Sequence, residues 1–142
     1  HGGVLRMAVR LFYKDLQKRL TEHGINVPQW LVLRALWDQD GLTQIELSKR
    51  LGIESAGITP KLDVMVRSGL VRREQNSNDR RKVNVFLEPR AKKIRADLTA
   101  CAVEVNDIAE RGIPQKDLES MHHTLWKMME NLTAADSAAE NQ

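Results

Sequence analysis

Leu5, Ala8, Phe12, Leu16 and Leu20 recur three and four residues apart, with Lys14, Asp15, Lys18 and Arg19 set between them. That period predicts an amphipathic helix over about residues 4–22, stopped by His23-Gly24. Asn26-Val27-Pro28 opens a second helix, with proline near its first turn. Trp30, Leu31, Leu33, Leu36 and Trp37 cover much of its circumference, which predicts burial, and it ends before Asp38-Gln39-Asp40-Gly41. Gly41-Leu42 is placed to pair as a very short strand with a later hairpin.

The stretch Leu42–Lys92 organises the rest. Thr43 and Glu46 have capping-box spacing, Leu47 and Leu51 fall on one helical face, and Gly52 supplies a stop. A further apolar-periodic segment, Ile58, Leu62, Met65 and Val66, runs up to Ser68-Gly69-Leu70. Two short helices this close read as helix-turn-helix. The start of the second is open. Either Ser55 caps it and Pro60 sits inside it, or Thr59 is the N-cap and Pro60 the first helical residue, as the local rule for proline prefers.

Beyond Gly69, Val71-Arg72-Arg73-Glu74 predicts a short strand and Gln75-Asn76-Ser77-Asn78-Asp79 a turn. Val83-Asn84-Val85-Phe86-Leu87 alternates like a returning strand. The hairpin carries Arg80, Arg81 and Lys82 at its tip and on the returning arm, which completes a winged helix. Pro89 is then expected to start a long helix to Gly112, with Ile94, Leu98, Cys101, Val105 and Ile108 as a seam at alternating spacings of four and three. After Pro114, Leu118, Met121, Leu125, Met128, Met129 and Leu132 form another apolar stripe, and the segment from Thr133 reads as a fraying tail. These terminal helices carry more apolar surface than one small winged helix can cover, so the seam is expected to need a partner.

Length and composition agree: 142 residues, 42% hydrophobic and 29% charged, fit one globular domain. No apolar run is long enough for a bilayer, the start lacks a signal peptide's apolar core, and the single Cys101 excludes an intrachain disulfide. A reducing cytoplasm is therefore expected, with no membrane partner. Charge is unevenly placed. Leu42–Lys92 holds eleven Lys/Arg against six Asp/Glu, while the remainder holds eleven against thirteen, within a total of +3. The basic excess sits on the reading module, as phosphate binding requires. Gly-rich phosphate loops, nucleophile–base motifs and metal-spaced clusters are lacking, so neither an enzyme, a cofactor nor a metal is expected. Adjacent His122 and His123 point about a hundred degrees apart on a helix and suit one ion poorly.

Leu42-Thr43 with Glu46-Leu47, then Gly69-Leu70-Val71-Arg72-Arg73, then Asp79-Arg80-Arg81 leading into Val83-x-Val85-x-Leu87, resemble the MarR-type transcriptional regulators. The resemblance is close over about fifty residues, and its register favours the earlier start of the second helix. It implies a mainly α fold with a small β-hairpin: a winged helix-turn-helix lobe over about 28–88, flanked by dimerisation helices over about 4–22 and 89–132. It also implies a homodimer that reads pseudo-palindromic double-stranded DNA, with recognition helices roughly 34 Å apart.

In that arrangement Ser55, Gly57, Thr59 and Lys61 face the major groove, and Thr43 and Gln44 hold a phosphate at a helix N-terminus. Where relatives often carry arginine this chain has Pro60, so a guanidinium contact is missing. The resemblance puts Arg81 in the minor groove with Asp79 bracing it, and Arg80, Lys82, Arg72 and Arg73 on phosphates. A repressor released by a small, frequently aromatic, acid is implied, with Phe12, Tyr13, Trp30, Arg34 and Trp37 as candidates to line the pocket. Aromatics at helical spacing more often read as core, and Cys101 reads as a buried, inert thiol. The competing reading is a winged helix that binds protein rather than DNA.

Overall fold

The computed structural model describes residues 1–141. The elements run α1 (Gly2–Leu20), a 3-10 turn (Thr21–His23), α2 (Val27–Asp38), α3 (Gln44–Leu51), α4 (Ser55–Arg67), β1 (Val71–Gln75), β2 (Val83–Leu87), α5 (Pro89–Lys93), α6 (Arg95–Ala109) and α7 (Gln115–Glu140). They form two compact units, His1–Val105 and Asn106 onward. The mainly helical fold with one antiparallel hairpin agrees with the sequence reading.

Capping sets the boundaries. The Asn26 side chain accepts from the Gln29 N–H while Gln29 accepts from the Asn26 N–H, so α2 starts with a full capping box. Thr43 and Glu46 make the same reciprocal pair at α3, and Gly52 ends that helix with φ +62°. In the hairpin, Val71 pairs with Leu87 and Gln75 with Val83. The expected short third strand is a single bridge between Thr43 and Asn84, beside a Val85 N–H to Leu42 carbonyl bond of 2.8 Å.

The helices and strands of the first unit, but not the 3-10 turn, contribute to one core. Leu20, Leu33, Leu36, Leu47, Ile58, Leu62, Met65 and Leu98 are fully buried there. This burial explains how α4 tolerates Pro60. Proline in the sixth helical position removes the N–H that would reach the Ala56 carbonyl, at a cost of about 3 kcal/mol. Ile58, Leu62 and Met65 each contribute about 1.5–3 kcal/mol on burial, which exceeds that cost. Ala56 is exposed, where water can reach its backbone.

Three expectations are corrected. Ser55 is the first helical residue and not the cap; Glu54 takes the cap position with no side-chain bond. The helix from Pro89 is interrupted at Ile94. In a continuous helix Arg95 would donate to the Ala91 carbonyl, but that carbonyl accepts the Trp37 indole N–H at 3.2 Å. Finally, the seam does not wait for a partner along its length. Leu98, Cys101 and Val105 are buried within the first unit, and Ile108 is exposed. Apolar side chains without cover lie elsewhere: Val4, Met7 and Leu11 on α1, and Met121, Met129 and Leu132 on α7. α7 buries none of its residues.

Candidate nucleic-acid interface

The wing is built from side-chain amides. Asn76 Oδ1 accepts from the N–H groups of Asn78 and Asp79, closing the turn at 2.9 and 3.0 Å. Its Nδ2 donates to Asn84 Oδ1, and Asn84 Nδ2 donates to the Gly41 carbonyl at 2.7 Å. Gln75 donates to the Arg80 carbonyl across the turn.

At the tip, Asp79 accepts from Arg81 three times: from the backbone N–H at 3.0 Å, from Nε at 3.1 Å and from a terminal nitrogen at 3.3 Å. The Arg81 side chain is nevertheless 91% exposed, whereas that of Asp79 is 28% exposed. The guanidinium is thus aimed by its neighbour and left open to solvent. The hydrogen bonds from Arg81 hold the Asp79 carboxyl below its usual range, aided by the nearby Lys82. Arg80 and Lys82 are exposed beside it and form no ion pair among the described residues.

The other basic residues of the hairpin are differently used. Arg73 pairs with Asp63 at 2.6 Å and donates to the Thr59 carbonyl at 3.0 Å, tying β1 to α4. Its side chain is only 26% exposed, so it serves the fold rather than standing free for a phosphate. Arg72 lies over the Phe86 ring at 4.9 Å and bonds Glu74 at 2.9 Å. Acidic and aromatic neighbours thus engage both arginines, which are expected phosphate contacts.

On the recognition helix, Ser55 and Thr59 are exposed and Lys61 is half-buried. Lys61 lines a cleft of about 240 Å³ with Asn26, Pro28, Gln29, Pro60 and Val64. A Cβ at Gly57 would lie 3.1 Å from the Ile53 side chain, so glycine lets α4 pack closely on the preceding turn. Thr43 is 7% exposed and its hydroxyl is committed to the Glu46 N–H, while Gln44 is half-buried.

The five residues expected to line an effector pocket do not share one environment. Trp30 is a core residue, in edge-to-face contact with Trp37 at 5.7 Å. Trp37 is half-buried and held by Ala91, with the Arg95 guanidinium 5.9 Å from its ring centre. Phe12, Tyr13 and Arg34 are exposed. In the second unit a cleft of about 520 Å³ is lined by Leu118, Leu125, Trp126 and Met129, with Glu110 and Glu119 at its edges. There His122 stacks on Trp126 and accepts its indole N–H. No cluster of metal-ligating side chains occurs among the described residues. Cys101 is buried, and burial pushes its thiol above the usual range, away from the reactive thiolate. Among the described residues no helix is long and apolar enough to cross a membrane.

Asn76 and Asn84 were missed as site residues. The turn composition marked Asn76 only as loop-forming, and Asn84 showed itself only as a polar position in an alternating strand.

A capped helix, a second helix ending at Arg67 and a basic hairpin define a winged helix-turn-helix protein. The MarR family model matches residues 25–83. The chain is 28% identical over 133 residues to the HTH-type transcriptional regulator TtmR of Methylorubrum extorquens (strain PA1), covering 94% of this chain and 67% of that one. A MarR transcriptional regulator from Methanosarcina mazei Go1 superposes with a TM-score of 0.87 at 26% identity, over 94% of this chain and 96% of the other. The transcriptional regulator PA3341 does so with a TM-score of 0.84 at 31% identity, over 94% and 98%. The chain belongs to the MarR family, whose members are transcriptional regulators and not enzymes.

Proposed function

We propose that the chain binds double-stranded DNA as a homodimeric repressor, with Arg81 entering the minor groove and α4 facing the major groove. The observation that carries this reading is the tip of the wing. A guanidinium held by two bonds to a carboxylate that also accepts the Arg81 backbone N–H, yet almost wholly exposed, is pre-organised for an external partner of negative potential. Arg80 and Lys82 supply uncommitted charge for the flanking phosphates. Ser55, Thr59 and Lys61 offer hydroxyls and an ammonium to base edges, with Gly57 and Pro60 keeping that surface low. Gln44 and the start of α3 remain candidates for a phosphate contact.

The exposed apolar positions of α1 and α7 support the dimer, in which residues of about 4–22 and 89–132 are shared between copies around a reading lobe over about 28–88. Two wings related by a two-fold axis suit a pseudo-palindrome with half-sites one turn apart, roughly 34 Å. Release by a small aromatic acid is part of the proposal, with exposed Phe12, Tyr13 and Arg34 as the groups to test beside Trp30 and Trp37. A cytoplasmic location follows from the same reading. The test is selection of duplexes from a random pool, followed by binding titrations over a range of salt. Sequence-dependent binding that weakens with salt is expected, and its absence at low salt removes the proposal.

A further inference from the structure

From the amide relay that runs through the wing we infer that Asn84 and Asn76 are positioning residues for Arg81, an inference that rests on the minor-groove reading above. The chain of bonds is continuous. The Gly41 carbonyl accepts from Asn84, Asn84 accepts from Asn76, Asn76 accepts from the Asp79 N–H, and Asp79 accepts from Arg81. It therefore starts in the turn between α2 and α3, inside the rigid lobe, and ends on the exposed guanidinium.

Each end is anchored. Gly41 adopts φ +75° without strain, and the loop around it is tied to β2 by the Leu87 N–H to Asp40 Oδ1 and the Val85 N–H to the Leu42 carbonyl, so the carbonyl that starts the relay sits on a held loop. Asn84 also holds the backbone bridge to Thr43, which fixes its own position. Both amides are half-buried, so water competes less for these bonds than at the tip. A two-stranded wing twists and sways unless tied to its base. The relay adds a side-chain tie to the backbone bonds at the tip, from the Asn76 N–H to the Lys82 carbonyl at 2.9 Å and from the Lys82 N–H to the Asp79 carbonyl at 3.0 Å. In effect the orientation of Arg81 is referred to the same loop that leads into the capped helix α3.

Asn84→Leu keeps size, adds no charge and leaves the Asn76 turn intact, but cuts the relay. With a duplex selected by the unsubstituted chain as probe, Asn84→Leu is expected to bind about 3–10-fold more weakly. In an Arg81→Ala background the same substitution is expected to have almost no further effect, since Asn84 acts through Arg81. An equal loss in both backgrounds, or no loss in either, overturns the inference. Asn76→Ser provides a second variant, because its hydroxyl still accepts within the turn but cannot reach Asn84; it is expected to behave alike. Backbone order parameters at Asn78, Asp79 and Arg81 need no DNA and are expected to fall in both variants; unchanged values contradict the relay. Failure of the unsubstituted chain to select any duplex instead removes the DNA reading, and the order parameters still decide the relay.

Discussion

Asp79 holds Arg81 through its side-chain and backbone nitrogens together, so a cation whose side chain is 91% exposed is at the same time constrained by its neighbour. An acidic residue on a DNA-facing hairpin opposes phosphate, and this geometry gives it a compensating role. The pairing lowers the folded-state pKa of Asp79 below the ordinary carboxylate range. Its contribution is present above the unfolded pKa and is lost as pH falls through the depressed folded value. A carbon-detected NMR titration is expected to give Asp79 a midpoint below that of an unpaired aspartate, and Arg81→Ala to move that midpoint upward. A midpoint at or above that of an unpaired aspartate contradicts the pairing.

The bond between Arg73 and Asp63 ties the wing to the recognition helix. Asp63→Ala is expected to destabilise the fold by about 1–2 kcal/mol, since it strips a partly buried guanidinium of its charged partner. Adding Arg73→Met to that variant is expected to cost little more, because the two residues share the interaction. Urea unfolding of the two single variants and the double checks this. Additive losses contradict it.

Gly41 and Gly52 both have positive φ, but only Gly41 has a ring against it. Gly52→Ala carries the conformational strain alone, about 1 kcal/mol. Gly41→Ala adds a clash with Phe86 at 2.7 Å and is expected to cost clearly more. Thermal unfolding of the pair is the measurement, and an equal shift in Tm rules out the steric part.

Exposed apolar residues on α1 and α7 lead to a prediction about assembly. Sedimentation equilibrium is expected to find two 16.2-kDa chains per particle. Leu11→Glu is expected to shift the population toward monomer, because a charge on a dry interface lacks a partner. A monomer at all accessible concentrations removes the dimer.

Local chemistry was legible in the sequence and long-range chemistry was not. The capping box of Thr43 and Glu46, the stop at Gly52 and the alternation of Val83–Leu87 depend on residues a few positions apart. The interruption at Ile94 depends on Trp37, which takes the Ala91 carbonyl from 54 residues away. Arg73 looked like a free basic residue because Asp63 lies on another element. The recognition helix keeps Pro60 inside it because three buried side chains outweigh one lost backbone bond, a balance that the local preference of proline does not include. Of the site, the pairing of Asp79 with Arg81 was expected from resemblance, while the amides beneath it required the folded hairpin to bring Asn76 to Asn84.

In the proposed function Arg81 is the wing's contact with DNA. The most direct test is a salt-controlled anisotropy titration of a selected duplex with the unsubstituted chain and with Arg81→Ala. A loss of about 1–3 kcal/mol in binding, with the fold intact by circular dichroism, is the result predicted. Equal affinity of the two proteins across the salt series contradicts it.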